Sequence, residues 1–171
     1  RASGAKPEPI SALLEPLKNV QVWRFSLYYF FVFGAFVALA LWLPRYIIDA
    51  YGFDIATAGM IGAAYSVPAS IFRAYGGVLS DRYGARRIMY WTLGVSVVVS
   101  FILSYPPTTY VMDGIEGPIE FRLATGVGAF IVLVFVLGFF MSLGKAAVYK
   151  HIPIYYPNRV GPVGGIVGLI G

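Results

Sequence analysis

The sequence predicts an all-α integral membrane protein, on three observations. Hydrophobic residues make up 58% of the 171 residues and charged ones only 12%, against about 45–50% and about 25% in soluble domains. The apolar residues gather in runs near the ~20 residues that a helix needs to cross a bilayer. Most charges fall in the short connectors between those runs.

The opening segment, residues 1–22, is polar and carries Pro7, Pro9 and Pro16. It has neither the apolar stretch of a signal peptide nor that of a span, so it is expected as a linker. Residues 23–171 are expected as a partial transmembrane bundle. Its spans run from Trp23 to Pro44, Ala56 to Leu79, Ile88 to Tyr105 and Leu123 to about Tyr149, with an incomplete span from Val160. Because the chain starts at Arg1 and stops inside that last Gly-rich run, it is expected to be a piece cut at both ends.

Turn signals separate the runs: Tyr51-Gly52-Phe53-Asp54, Ser80 through Gly84, Pro106-Pro107 through Gly117-Pro118, and Tyr156-Pro157-Asn158. Spans joined by such short connectors alternate in direction. Nine cations (Arg1, Lys6, Lys18, Arg24, Arg82, Arg86, Arg87, Lys150 and Arg159) then fall on one side, and only Arg45 and Arg122 on the other. The positive-inside rule makes the first side, with the N-terminal segment, cytoplasmic. Asp49, Asp54, Asp113, Glu116 and Glu120 fall opposite. The expected location is therefore the cytoplasmic (inner) membrane, with multiple passes and the lipid bilayer as surroundings.

Several function classes are disfavoured. The net charge of +5 is dispersed over connectors rather than gathered on a solvated face, so nucleic acid is not an expected partner. With no Cys and a single His, His151, neither a disulfide framework nor a Cys/His metal site can be built, and no cofactor is implied. No nucleophile–base pair or phosphate-cradling Gly loop accompanies His151, which is expected at the interface, and the protein is not expected to be an enzyme.

Two cations lie inside spans, Arg73 and Lys145, and no Asp or Glu does. An intramembrane cation is expensive and by default functional. The Arg73 guanidinium offers a planar, permanently charged fork suited to a planar oxyanion; the competing reading is a snorkelling side chain. Lys145 has the same two readings, snorkelling or a part in the pathway. Tyr29 and Phe33 stand at i and i+4 in the aromatic-rich first span, putting a hydroxyl above an aromatic wall on one face. Gly161, Gly164, Gly165, Gly168 and Gly171 let the last helix approach its neighbours closely, which ordinary packing also explains.

The stretch Gly76-Gly77-Val78-Leu79-Ser80-Asp81-Arg82-Tyr83-Gly84-Ala85-Arg86-Arg87 resembles the loop motif of the major facilitator superfamily. Physically, Gly76 and Gly77 permit close helix contact, Asp81 can face a helix N-terminus or the nearby arginines, and Gly84 can make a tight turn. Three further stretches resemble the nitrate/nitrite porter family within that superfamily: Pro16 through Phe36, Ile71 through Gly77, and Leu143 through Gly168. They match its seventh, eighth, and tenth to eleventh helices. The resemblance implies a truncated C-terminal six-helix half of a twelve-helix secondary transporter, carrying nitrate, nitrite or both by alternating access. It implies that Arg73 is one of two anion-gripping arginines, the other belonging to the N-terminal half. Tyr29 would be a hydrogen-bonding partner, Phe33 part of the aromatic wall, and Gly164 and Gly165 the lining of the mobile signature helix. Gly76, Gly77, Asp81, Arg82, Gly84, Arg86 and Arg87 would form the conformational loop. Gly144-Lys145-Ala146 replaces the family's frequent Gly-Asn-Gly or Gly-Ser-Gly, a form associated with proton-coupled uptake, so proton symport and nitrate/nitrite exchange both stay open. A carrier of another small anion and a non-transporting membrane scaffold are the alternatives.

Overall fold

A computed structural model describes residues 13–105, 108–115 and 117–171. Most of the expected linker (residues 1–12), the Pro106-Pro107 turn and Glu116 lie outside the described residues. A short 3-10 turn, Glu15–Lys18, leads into α1 (Val20–Tyr51), followed by α2 (Ile55–Tyr83), α3 (Ala85–Leu103), the strands β1 (Thr108–Gly114) and β2 (Gly117–Leu123), α4 (Val127–Tyr155) and α5 (Val160–Ile170). The four longer helices are each apolar and long enough to cross a membrane.

Several helices run past the expected limits. α1 continues beyond Pro44 because an interior proline removes one donor without ending the helix, and its ring packs against α2, where a Cβ on Gly62 would stand 3.1 Å from Pro44 Cγ. α1 ends instead at Gly52, whose φ of 69° suits only glycine at low cost. α2 starts on Asp54, whose carboxylate accepts from the amides of Ala56 and Thr57 and from the Thr57 hydroxyl. Those bonds, the Thr57 hydroxyl foremost, hold the Asp54 carboxyl below the usual carboxylate range. A cap of this kind stabilises a helix by about 1 kcal/mol. α2 also continues through the expected connector to Tyr83, and Gly84 alone, at φ 87°, turns the chain into α3.

α1 contains a π turn, Phe30–Ala35, with regular α-helix on either side. Leu123, where the fourth span was expected to begin, is the last residue of β2, and α4 starts at Val127. The antiparallel hairpin between α3 and α4 pairs Thr108 with Leu123 and Gly114 with Gly117. Among the described residues it is the one sheet in a bundle that is otherwise helical. The Tyr105 and Tyr110 hydroxyls meet where the hairpin leaves α3.

α4 is the axis of the bundle. Phe130, Val134, Leu137, Met141, Gly144, Val148 and Ile152 repeat at helical spacing, and Gly138, Ala147 and His151 add a second buried stripe. Where α2 and α3 meet α4, glycines bring the helices together: a Cβ on Gly76 would stand 2.7 Å from Leu143 Cα, and one on Gly144 would meet Val32 and Thr92 at 2.7 and 2.8 Å. Lipid tails are as apolar as leucine, so close packing of this kind is the main attraction between membrane helices. The outer faces carry exposed Met60, Val67, Ile71 and Val78 on α2 and Val97, Val98 and Phe101 on α3. Such surfaces suit acyl chains and would be an aggregation liability in water.

At the end where α1 begins, Arg159 pairs with Glu15 at 2.5 Å. Arg159 holds the Glu15 carboxyl below its ordinary range. Since the folded-state value is the depressed one, this pair's contribution is present above the ordinary carboxylate range and fades as pH falls through it. His151 is buried against its neighbours: its Nδ1 lies 2.9 Å from the Ala147 carbonyl and its ring packs 5.5 Å from Phe25.

Candidate functional site

Three helices bring side chains to one region of the bundle. α1 supplies Tyr29 and Phe33, one helical turn apart, with rings stacked at 5.1 Å and 12° between planes. α4 supplies Lys145 and Tyr149, again at i and i+4. The Tyr149 ring meets Tyr29 edge-on at 5.1 Å, and the Tyr29 hydroxyl interacts with both Tyr149 and Arg73. α2 supplies Arg73, which lines a 550 Å³ cavity with Ser70, Ala74, Gly77, Ala146, Tyr149 and Lys150.

Lys145 does not snorkel. Its side chain is buried, with Nζ 3.0 Å from the centroid of Phe36 and 5.5 Å from that of Phe33. Among the described residues it has no carboxylate partner. A desolvated cation–π contact is worth about 2 kcal/mol, whereas placing an ammonium at mid-membrane costs at least ~2.5–3.5 kcal/mol. The aromatic seat therefore offsets most of that cost and leaves a residual appetite for an anion. Arg73 sharpens it, because its guanidinium repels the Lys145 ammonium. Arg73 itself is exposed on the face of α2 that opens into the cavity. Two like charges on neighbouring helices, with no carboxylate beside them among the described residues, give the region a positive potential.

The glycines differ among themselves. A Cβ on Gly164 would come 3.9 Å from Tyr149 Cε1 and one on Gly168 only 2.9 Å from the Tyr149 hydroxyl, so α5 leans its small residues on that ring. A Cβ on Gly165 would meet nothing within 4 Å. Gly164 thus borders the cluster through Tyr149, and Gly165 points away from the described residues.

The loop motif adjoins this cluster at Gly77, which lines the Arg73 cavity, and its remainder lies at the end of the bundle where α2 turns into α3. Asp81 meets neither a helix N-terminus nor an arginine: the Lys150 ammonium contacts both of its oxygens, at 2.7 and 2.8 Å, and ties α2 to α4. Both side chains are about half exposed, so the pair is worth at most ~1 kcal/mol. Arg82 and Arg86 lie over the rings of Tyr83 and Tyr90 at 5.4 and 6.0 Å. Arg87 is exposed, and Gly77 is half-buried with room for a Cβ.

Tyr149 is the site residue that sequence reasoning passed over. Its signal was available: it follows Lys145 by four residues and so shares its face, but a tyrosine near the end of a span reads first as an interfacial anchor. Among the described residues, no group of three or more His, Asp or Glu could hold a metal ion.

The sequence profile described as Major Facilitator Superfamily matches residues 1–171. Over 166 residues the chain is 49% identical to a protein named "Probable nitrate/nitrite antiporter NarK1" from Thermus thermophilus, covering 95% of this chain and 37% of that relative. A "Nitrite extrusion protein" from Bacillus subtilis is 28% identical over 90% of this chain and 34% of its own length. A "Probable nitrate transporter NarT" from Staphylococcus epidermidis is 26% identical, with coverages of 95% and 38%. The chain thus spans little more than a third of the curated relatives it matches. No solved structure matches significantly.

Proposed function

Because the chain belongs to the Major Facilitator Superfamily, aligning there with proteins named for nitrate or nitrite, we propose that it forms part of a multi-pass carrier of nitrate, nitrite or both, working by alternating access between two helical bundles. The observation that carries this reading is the positive region itself, with Arg73 and Lys145 on neighbouring helices and no carboxylate beside them among the described residues. The Arg73 guanidinium would grip two oxygens of the planar anion, Tyr29 would donate its hydroxyl to it, and Phe33 with Phe36 would wall the site and hold Lys145. Gly164 and Gly168 would let α5 slide over Tyr149 as the bundles rock, Gly165 would face the other bundle, and the Gly76–Arg87 motif would govern that rocking. A second bundle, supplied by the rest of the protein, would close the site. No step breaks or makes a covalent bond, so the protein would be a transporter and not an enzyme.

Nitrate counterflow into proteoliposomes of the intact protein tests the reading. Vesicles loaded with nitrate are expected to accumulate external labelled nitrate and those loaded with chloride are not; equal accumulation from both would overturn it. The same assay tests Lys145. Two unit charges several ångströms apart interact by about 2–3 kcal/mol in a medium of effective dielectric ~20, so Lys145→Gln is expected to weaken nitrate affinity roughly thirty- to a hundredfold, and Lys145→Arg, which keeps the charge but overfills the buried seat against Phe36, to disturb it as well. Unchanged affinity in Lys145→Gln would leave that residue as packing only.

By the nine-to-two split of Lys and Arg across the connectors, the Gly84 turn would face the cytoplasm. Ser80 is buried and would resist labelling, so exposed neighbours serve better. Arg82→Cys in the intact protein is expected to react with a membrane-impermeant maleimide only after cells are opened, and Thr109→Cys, on the hairpin, in intact cells. Reaction of Arg82→Cys from outside would invert the orientation.

A further inference from the structure

A second concavity, of 160 Å³, lies at the end of the bundle where α1 and α3 begin and α4 ends. Arg24 and Tyr28 of α1, Arg86 and Tyr90 of α3, and Tyr155 of α4 form its polar wall, and Phe25, Met89 and Leu93 its apolar floor. Arg86 interacts with the Tyr90 hydroxyl, and its charge reaches Tyr28, Tyr155 and His151. Among the described residues, no carboxylate lines the concavity or pairs with Arg24 or Arg86. The rings of Tyr90 and Tyr155, which line it, are exposed, as are those of Trp23 and Trp91, next in sequence to Arg24 and Tyr90, and amphipathic rings of this kind mark the depth of the lipid headgroups.

We infer that this concavity binds the phosphate group of an anionic membrane lipid. Two guanidinium forks carried by separate helices suit phosphate oxygens, which each fork can meet bidentately. The tyrosine hydroxyls add neutral donors, and the apolar floor receives the glycerol and the first carbons of an acyl chain. Basic pockets between membrane helices at the headgroup level take anionic headgroups by this chemistry. A free phosphate ion would meet the same forks but would leave the floor and the surrounding rings unused. The site is independent of the nitrate site proposed above, since neither Arg73 nor Lys145 lines it. A lipid held there would bridge α1, α3 and α4 at their ends.

The test uses the intact protein in mild detergent, with native mass spectrometry for bound lipid and thermal unfolding as the second readout. Phosphatidylglycerol is expected to stay bound and raise the unfolding midpoint, whereas phosphatidylcholine and millimolar inorganic phosphate do neither. Each guanidinium lost removes charge-assisted bonds, so Arg24→Gln and Arg86→Gln should each weaken phosphatidylglycerol binding about tenfold or more. Arg45→Gln, at the opposite end and paired with Asp49 at 3.5 Å, should leave it unchanged. Equal retention of phosphatidylglycerol by the Arg24 and Arg86 variants, or no preference over phosphatidylcholine, would overturn the site. Equal stabilisation by inorganic phosphate would overturn the assignment to lipid.

Discussion

Replacing Arg73 by alanine in the intact protein is expected to reduce nitrate binding by ten- to a hundredfold for each charge-assisted bond lost, since such bonds contribute about 1.5–3 kcal/mol. Arg73→Lys keeps the charge and discards the planar fork. A bidentate grip therefore predicts a large loss in both variants, measured as nitrate affinity by calorimetry or counterflow. Stability should respond differently. Arg73 is exposed, and its charge repels that of Lys145, so Arg73→Ala is expected to leave the unfolding midpoint unchanged or slightly raised. Loss of binding with loss of folding would mean that Arg73 is a structural residue. Parent-like binding in Arg73→Lys would remove the guanidinium-specific grip, and parent-like binding in Arg73→Ala would remove Arg73 from the site.

The second large effect is expected at Gly76. A Cβ there would stand 2.7 Å from Leu143 Cα and 3.0 Å from the Leu143 carbonyl oxygen, and both are backbone atoms that cannot swing away. Gly76→Ala must push α2 from α4, and overpacking of this kind costs about 1–3 kcal/mol. Gly77→Ala, one position along, meets nothing within 4 Å. Alanine there gains the helix propensity that glycine lacks, about 1 kcal/mol. The two neighbours should therefore shift the unfolding midpoint in opposite directions. A destabilised Gly77→Ala beside a neutral Gly76→Ala would contradict the α2–α4 contact described here.

The helices were legible because bilayer length and apolarity are one-dimensional signals. Their limits were less so: Pro44 and Pro153 each sit inside a helix, and the sequence does not show that a neighbouring glycine, Gly62, makes room for the Pro44 ring. The hairpin was missed because its prolines and glycines read as an irregular connector, although Thr108–Gly114 pairs residue by residue with Gly117–Leu123. Arg73 stood out because a charge in an apolar run has no inexpensive explanation. Lys145 stayed ambiguous because its depth depends on Phe33 and Phe36, which lie more than a hundred positions away in the chain. The same holds for Asp81, whose partner Lys150 is 69 positions distant and belongs to another helix.

A π turn stores one more residue than an α turn over the same length of axis. Expelling that surplus from Phe30–Ala35 would rephase α1, rotating the part beyond it by about 100° against the part before. Phe33 lies inside the turn and Phe36 directly after it. The two rings that seat Lys145 are therefore mounted where the helix can change phase without unwinding, whereas Tyr29, just before the turn, would keep its bearing. Such a change of phase would swing the two rings off the ammonium while the tyrosine stayed in place.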